Sequence, residues 1–236
     1  MAQNNSLKKI AILQSNYIPW KGYFDIINSV DEFVIYDEMQ YTRRDWRNRN
    51  IIKTKGGLKW LTIPVEVKGR YNQKICETKV ANNIWPEKHW EAIRHNYNNA
   101  LYFSKYSKVF EQTFHKCLDL DHLSDINRLF INTINSLLKI HTNISDSTKY
   151  RIEGERNEKI ISICKQAGAD VYVTGMAARA YIDEKLFRKE SVALSWIDYS
   201  GYPEYNQGYQ NFEEKVSIID LIFNTGEKAP DYMNSF

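Results

Sequence analysis

The chain has few cysteines, few prolines and no marked excess of charge of either sign, and each shortage removes a class of explanation. Three cysteines in 236 residues (Cys76, Cys117 and Cys164) are odd in number, widely spaced and free of any CxxC pair. They exclude a disulfide framework and a zinc knuckle, so a reducing cytoplasm is the expected compartment. With 32 basic and 29 acidic residues the formal net charge is only +3, far from the basic excess of a dedicated nucleic-acid-binding domain. Any affinity for anions must therefore be local. No apolar run approaches the roughly 18 residues needed to cross a bilayer, and the opening MAQNNSLKK passes into a strand without an apolar leader core. Membrane insertion is not expected. The five histidines (His89, His95, His115, His122 and His141) show neither an HExxH pair nor carboxylates at ligand spacing, so no metal site is expected. No cysteine has a histidine beside it in a nucleophile pattern, which argues against covalent thiol catalysis.

Aromatic residues, by contrast, are plentiful: they make up 14% of the chain, with 16 Tyr and 6 Trp. So many rings with a polar handle suggest a wet cleft. The length suits one core, because chains usually divide only beyond about 250 to 300 residues. The expected organisation is one α/β domain over residues 1–236 with a helical insertion over about 85–145. KIAIL and EFVIY, joined by the amphipathic WKGYFDIINSV, form a strand, helix, strand unit of a parallel sheet. IIK and KWLTIPV around KTKGG read as a β-hairpin. WPEKHWEAIRHNYNN, SKYSKVFEQTFHKCL and LSDINRLFINTINSLLKIH carry apolar residues at three-to-four spacing and read as the three helices of the insertion. The helix EGERNEKIISICKQAG, the strand ADVYVTG, the helix AARAYIDEKLF and the strand VALSWIDY then build a second half, and SIIDLIF a final helix with Ser217 as its cap. The fold class is α/β: a mostly parallel, Rossmann-like sheet with flanking helices, a small hairpin and a helical insertion.

The densest chemistry lies between Gln14 and Asn50, QSNYIPWKGYFDIINSVDEFVIYDEMQYTRRDWRNRN. An ordinary loop is short and rich in Gly, Pro, Asn, Asp and Ser, whereas the segment after the second strand is crowded with rings, guanidiniums and amides. Asp37 stands just past a strand end, where α/β sheets place their ligands, and is either a base for an amine or a turn cap. Lys21 and Arg47 are the expected neutralisers of building negative charge, with Arg43 and Arg49 beside them. Gln14, Asn16, Gln40 and Asn48 supply directed hydrogen bonds, and Tyr17, Tyr41 and Trp46 supply rings to stack on a ligand. A second polar-aromatic set, with Gly175, Tyr181, Asp198, Tyr199 and Tyr205, follows later strands and is expected to face the same cleft. Plainer readings stand beside these. Trp20, Tyr23 and Phe24 suit the buried stripe of an amphipathic helix, Gly22 suits close packing, and the arginine run suits a solvated face paired with Asp45 and Glu38.

The blocks QSNYIPWKGYFDII, FVIYDEMQYTRRDWRNRN, WLTIPV, TGMAARAYIDE, WIDYSGYPEY and SIIDLIFN resemble the WbqC-like family of bacterial polysaccharide-cluster proteins over nearly the whole chain. The resemblance implies a role in building O-antigen or a similar surface glycan, as a transferase moving a glycyl or other acyl group to an amino sugar. The layout of the first strand, turn and helix is also similar to the nucleotide-binding turn of the HxGH nucleotidylyltransferase superfamily, and the second strand with MQY to pantothenate synthetase. Neither histidine of the HxGH motif is present, so phosphate charge would fall to Lys21 or an arginine. No cofactor is fixed; ATP or another activated acyl donor is the candidate. A nucleotide-linked amino sugar is the expected partner and tRNA the less favoured one. Three classes stay open: the transferase, a sugar-nucleotide binding or assembly protein of the same pathway, and a binder of aminoacyl-tRNA through RRDWRNRN.

Overall fold

The structure, a computed structural model, describes residues 7–209 and 211–236. The first six residues, MAQNNS, part of the opening read as lacking an apolar leader core, lie outside them. In chain order the elements are β1 (Lys9–Leu13), α1 (Lys21–Asn28), β2 (Glu32–Ile35), β3 (Arg49–Thr54), β4 (Gly57–Thr62), α2 (Trp85–Tyr97), α3 (Phe103–Lys116), α4 (Leu123–Leu138), β5 (Asn143–Asp146), α5 (Asn157–Gln166), β6 (Val171–Gly175), α6 (Glu184–Lys189), β7 (Ala193–Ile197) and α7 (Ile218–Thr225).

Five strands form one parallel sheet in the order β5-β2-β1-β6-β7, and β3 and β4 pair antiparallel as a separate hairpin. Side chains alternate across a strand, so neighbouring residues feed different cores. Ala11, Phe33, Ile35 and Val173 enter one core with α1, the helices α2 to α4, the hairpin and α7. Ile10, Ile12, Val34 and Tyr172 enter the other, beneath α5 and α6. With both faces covered, the central strands can be apolar throughout, and β2 is buried at every residue.

Two expectations change. The sequence NISD was not read as a strand, because it has no apolar run; β5 pairs along β2 through its backbone and buries only Ser145. The stretch AARAYIDEKLF, expected as one helix, divides into a 3-10 turn over Met176–Ala180 and α6. The carboxylate of Asp183 accepts from the N–H groups of Lys185 and Leu186 at 3.0 and 3.1 Å, so it caps a new helix instead of continuing an old one. The capping of α7 by Ser217, which accepts from the Ile219 N–H, is as expected.

The strand order locates the crevice. From β1 the chain moves to β2 and then β5 on one side, and returns to place β6 and β7 on the other. The carboxyl ends of β1 and β6 are thus the switch point of the sheet, where open α/β folds bind ligands.

Candidate active site at the switch point

The turn Gln14–Asn16 leaves β1 and is tied down from three directions. The Ser15 N–H and hydroxyl donate to the two oxygens of Asp37, at 2.8 and 2.6 Å, and the Ser124 hydroxyl of α4 donates to the same carboxylate. The buried Asn127 amide donates at 2.9 Å both to the Ser15 hydroxyl and to the Arg47 carbonyl. Helix α4 therefore fastens the loop that carries Arg47 to the end of β1. A second anchor is Asn50, also buried, whose amide donates to the carbonyls of Tyr17 and Ile18 at 3.0 and 2.9 Å. Ile18 has φ of +36°, a costly conformation for a β-branched residue, so the two bonds hold a strained turn in place just before α1.

These anchors aim one guanidinium. Arg47 donates from its two terminal nitrogens to the amide oxygens of Gln14 and Asn16, and the nearest carboxylate oxygen, on Asp45, stands 3.7 Å away. Neutral amides fix its orientation without cancelling its charge. Its partner Asn16 lines a cleft of about 300 Å³ together with Pro19, Trp20, Trp46, Asn50 and Lys215. A groove of about 450 Å³ continues past Trp46 and Lys215 along the hairpin. The Tyr199 ring lies 5.4 Å from that of Trp20, and Gly175, at the end of β6, is bare where a Cβ would sit 3.1 Å from the Tyr199 ring.

The WbqC-like protein family matches residues 14–232 of this chain. The chain belongs to that family. A protein of Mycobacterium tuberculosis described as uncharacterized is 48% identical over 229 residues, spanning 96% of this chain and 98% of its own length. No solved structure matches at a significant level.

Within this WbqC-like fold, the residues singled out from the sequence separate into groups. Gln14, Asn16, Asp37, Arg47 and Trp46 gather at the end of β1, while Tyr199 packs against Trp20 and Gly175 against Tyr199 without lining the cleft. Arg49 faces the neighbouring groove, its guanidinium 4.0 Å above the Trp60 ring. The rest serve the structure around the site. Tyr17 is fully buried, with its hydroxyl 2.8 Å from His89 Nδ1, and Tyr41 is buried in the same core. Asn48 is buried and donates to the Ile63 carbonyl, Arg43 to the Val67 carbonyl and Gln40 to the Tyr71 carbonyl. Tyr205 donates to buried Asp220 at 2.8 Å. Asp198 caps Ser200 at the surface, which lowers its pKa, and Tyr181 is 71% exposed.

Two of the three residues expected to act chemically are otherwise engaged. Both Asp37 oxygens are taken by serine donors, so its observed work is to hold the Gln14–Asn16 turn. Lys21 is buried, with its ammonium 4.3 Å from the Tyr202 ring centre and near the rings of Tyr205 and Phe212, and it has no hydrogen-bond partner among the described residues. Burial lowers its pKa, opposed by the charges of Glu214 and Asp25. Gly22 is bare because the Trp20 indole folds over it; a Cβ there would stand well inside van der Waals contact of the ring.

Sequence reasoning passed over several residues of the site. Trp20, read as helix stripe, lines the cleft, and Lys215 and Asn50 complete it. Tyr23 donates to the Gln14 carbonyl at 3.0 Å. Burial and then the Asp37 charge keep its proton on, against the pull of Arg47 and Arg128. Arg128 pairs with Asp146 at the end of β5. Nothing in the helical periodicity around Arg128 distinguishes it from a solvated charge; only the packing of α4 over the strand ends does. Among the described residues, no helix is long and apolar enough to cross a membrane, and no three His, Cys, Asp or Glu side chains gather as a metal site.

Proposed function

We propose that the protein is a transferase of O-antigen or related surface-glycan biosynthesis that moves a glycyl or similar acyl group onto the amine of a nucleotide-linked amino sugar. The observation that carries this reading is Arg47: a guanidinium at the switch point, oriented by the amides of Gln14 and Asn16 and met by a carboxylate only at 3.7 Å, which suits it to an incoming anion. The diphosphate of the sugar nucleotide is the partner it suits, and the cleft between Trp20 and Trp46 suits the sugar ring. In the transfer the sugar amine attacks the activated glycyl carbonyl. A C–N bond forms, the bond from the carbonyl carbon to its leaving oxygen breaks, and the amine gives up a proton to solvent water. Asn16 and Gln14 are the directed groups nearest the path, and the charge on the departing oxygen falls to Arg47. ATP, or a donor already activated, supplies the leaving group.

Incubation with ATP, glycine and a UDP- or dTDP-linked amino sugar tests this directly. The expected result is a mass increase on the sugar equal to one glycyl residue. The engagement of both Asp37 oxygens favours a second reading, a sugar-nucleotide binding protein of the same pathway that performs no transfer. Tight binding of the sugar nucleotide with no new mass from any donor would select it.

A further inference from the structure

We infer that the groove on the outer face of the hairpin is a nucleoside subsite, seating the base and ribose of the nucleoside diphosphate whose diphosphate lies against Arg47 in the adjoining cleft. The inference rests on the anion reading of Arg47 above and adds to it where the rest of the ligand goes.

Strand periodicity decides which side chains face the groove. Asn50, Ile52 and Leu61 turn inward and are buried, which leaves Arg49 and Ile51 of β3 and Leu58 and Trp60 of β4 on the outer face, with Ile51 and Trp60 directly paired. The outer face of an antiparallel hairpin is ordinarily polar. Here Leu58 and Trp60 are 50% and 42% exposed, and Trp46, 41% exposed, leans over them with its ring 5.4 Å from that of Trp60. An exposed apolar patch of this kind marks a binding surface. Its charge narrows the ligand: Arg44, Arg49 and Lys215 line the groove against the single carboxylate of Glu213. Arg49 is held flat on Trp60 by a bond to the Arg44 carbonyl, on a backbone whose φ is +58°, and its buried Nε has no partner among the described residues. Rings for stacking beside fixed cations suit a planar base joined to phosphate. Trp46 and Lys215 line both this groove and the cleft that contains Asn16, so one ligand can occupy the two. A volume of about 450 Å³ is the scale of a small-molecule seat, and a net charge of +3 lacks the domain-wide basic excess of a polynucleotide binder.

Calorimetric titration of the unaltered chain, Trp60→Ala and Arg47→Ala with UDP, dTDP and inorganic diphosphate tests the assignment. We expect Trp60→Ala to weaken the better nucleoside diphosphate about tenfold to hundredfold while leaving inorganic diphosphate unchanged, and Arg47→Ala to weaken both. Trp60→Phe should recover most of the loss, because it restores a ring. Nucleoside diphosphate binding to Trp60→Ala with unaltered affinity overturns the groove assignment alone and leaves the Arg47 reading standing. Failure of the unaltered chain to bind any of the three probes overturns both. Salt-steep binding of tRNA in place of UDP and dTDP overturns the groove assignment in favour of a nucleic-acid surface.

Discussion

The two ends of the parallel sheet each hold an ordered charge, buried at Glu32 and partly buried at Arg47, and the company each keeps differs. At the amino end, Glu32 at the start of β2 accepts from Ser145 at 2.7 Å, from Lys8 at 2.9 Å and from the Tyr150 hydroxyl, with Lys149 at 3.6 Å. Burial alone would raise its pKa, but the bonds from Tyr150, Ser145 and Lys8 and the Lys8 charge bring it to about 2. That charge is balanced and its work is done within the protein. At the carboxyl end Arg47 is held by two neutral amides, with its closest carboxylate at 3.7 Å. Both arrangements are ordered, so order alone does not mark a site. What separates them is how closely the charge is met: Glu32 accepts directly from a lysine, whereas the only ion-pair partner of Arg47 among the described residues stands 3.7 Å away.

The comparison can be broken most forcefully at Arg47. Arg47→Ala should lower affinity for a UDP- or dTDP-linked amino sugar by a hundredfold or more, while the melting temperature shifts by less than about 2 °C, below the effect of about 1 kcal/mol in a chain of this size. Calorimetry of binding beside thermal melts reads both quantities. A drop of many degrees with binding per folded molecule intact would make Arg47 a structural charge of the Glu32 kind.

Glu32→Gln should do the converse, costing about 2–3 kcal/mol at pH 7 with sugar-nucleotide affinity unchanged. The sign follows from a carboxyl pKa depressed in the folded state. Its stabilisation is complete above the unfolded value near pH 4.3 and is lost as pH falls toward 2, so urea melts of the two chains should converge there. Asp220 runs the other way. Burial raises its pKa to about 6 in spite of bonds from Tyr97, Tyr205 and Gln207, so stability is greatest below the unfolded value near 3.9 and declines as pH rises to about 6. Asp220→Asn should flatten that decline, and a slope left unaltered between pH 4 and 6 would remove Asp220 as its source.

The smallest expected effect sharpens the boundary between cage and cleft. Lys21→Met should raise the melting temperature by about 2–4 °C, as an orphan buried amine gives way to an apolar group against Tyr202, Tyr205 and Phe212. Sugar-nucleotide affinity should stay within twofold. A large loss of affinity in that variant would move Lys21 from the structural class to the site.

Much of the frame was legible because it depends on local patterns. The apolar runs of β1, β2, β6 and β7, the KGG turn and the Ser217 cap each state their element within a few residues. Strand β5 was not legible, since NISD has no apolar run and becomes a strand only beside β2. In the site, Gln14, Asn16, Trp46 and Arg47 stood out because their composition does not suit a plain loop. Tyr17 and Tyr41 carry the same signal and lie in the core, since a tyrosine that finds an internal partner, as Tyr17 does in His89, is indistinguishable in sequence from one that waits for a ligand.

Residue order by itself determined the alternating βα framework, the hairpin and the concentration of amides, arginines and rings after β1 and β2, because periodicity and turn chemistry act over short stretches of chain. Tertiary structure alone decided which charges are satisfied. Asp37 found two serines, one of them 87 residues away on α4, and Lys21 found a wall of rings from the segment before α7, whereas Arg47 met two amide oxygens and, at 3.7 Å, the carboxylate of its sequence neighbour Asp45. The cost of a buried charge depends on what lies within a few ångströms of it, and such neighbours come from segments far apart in sequence.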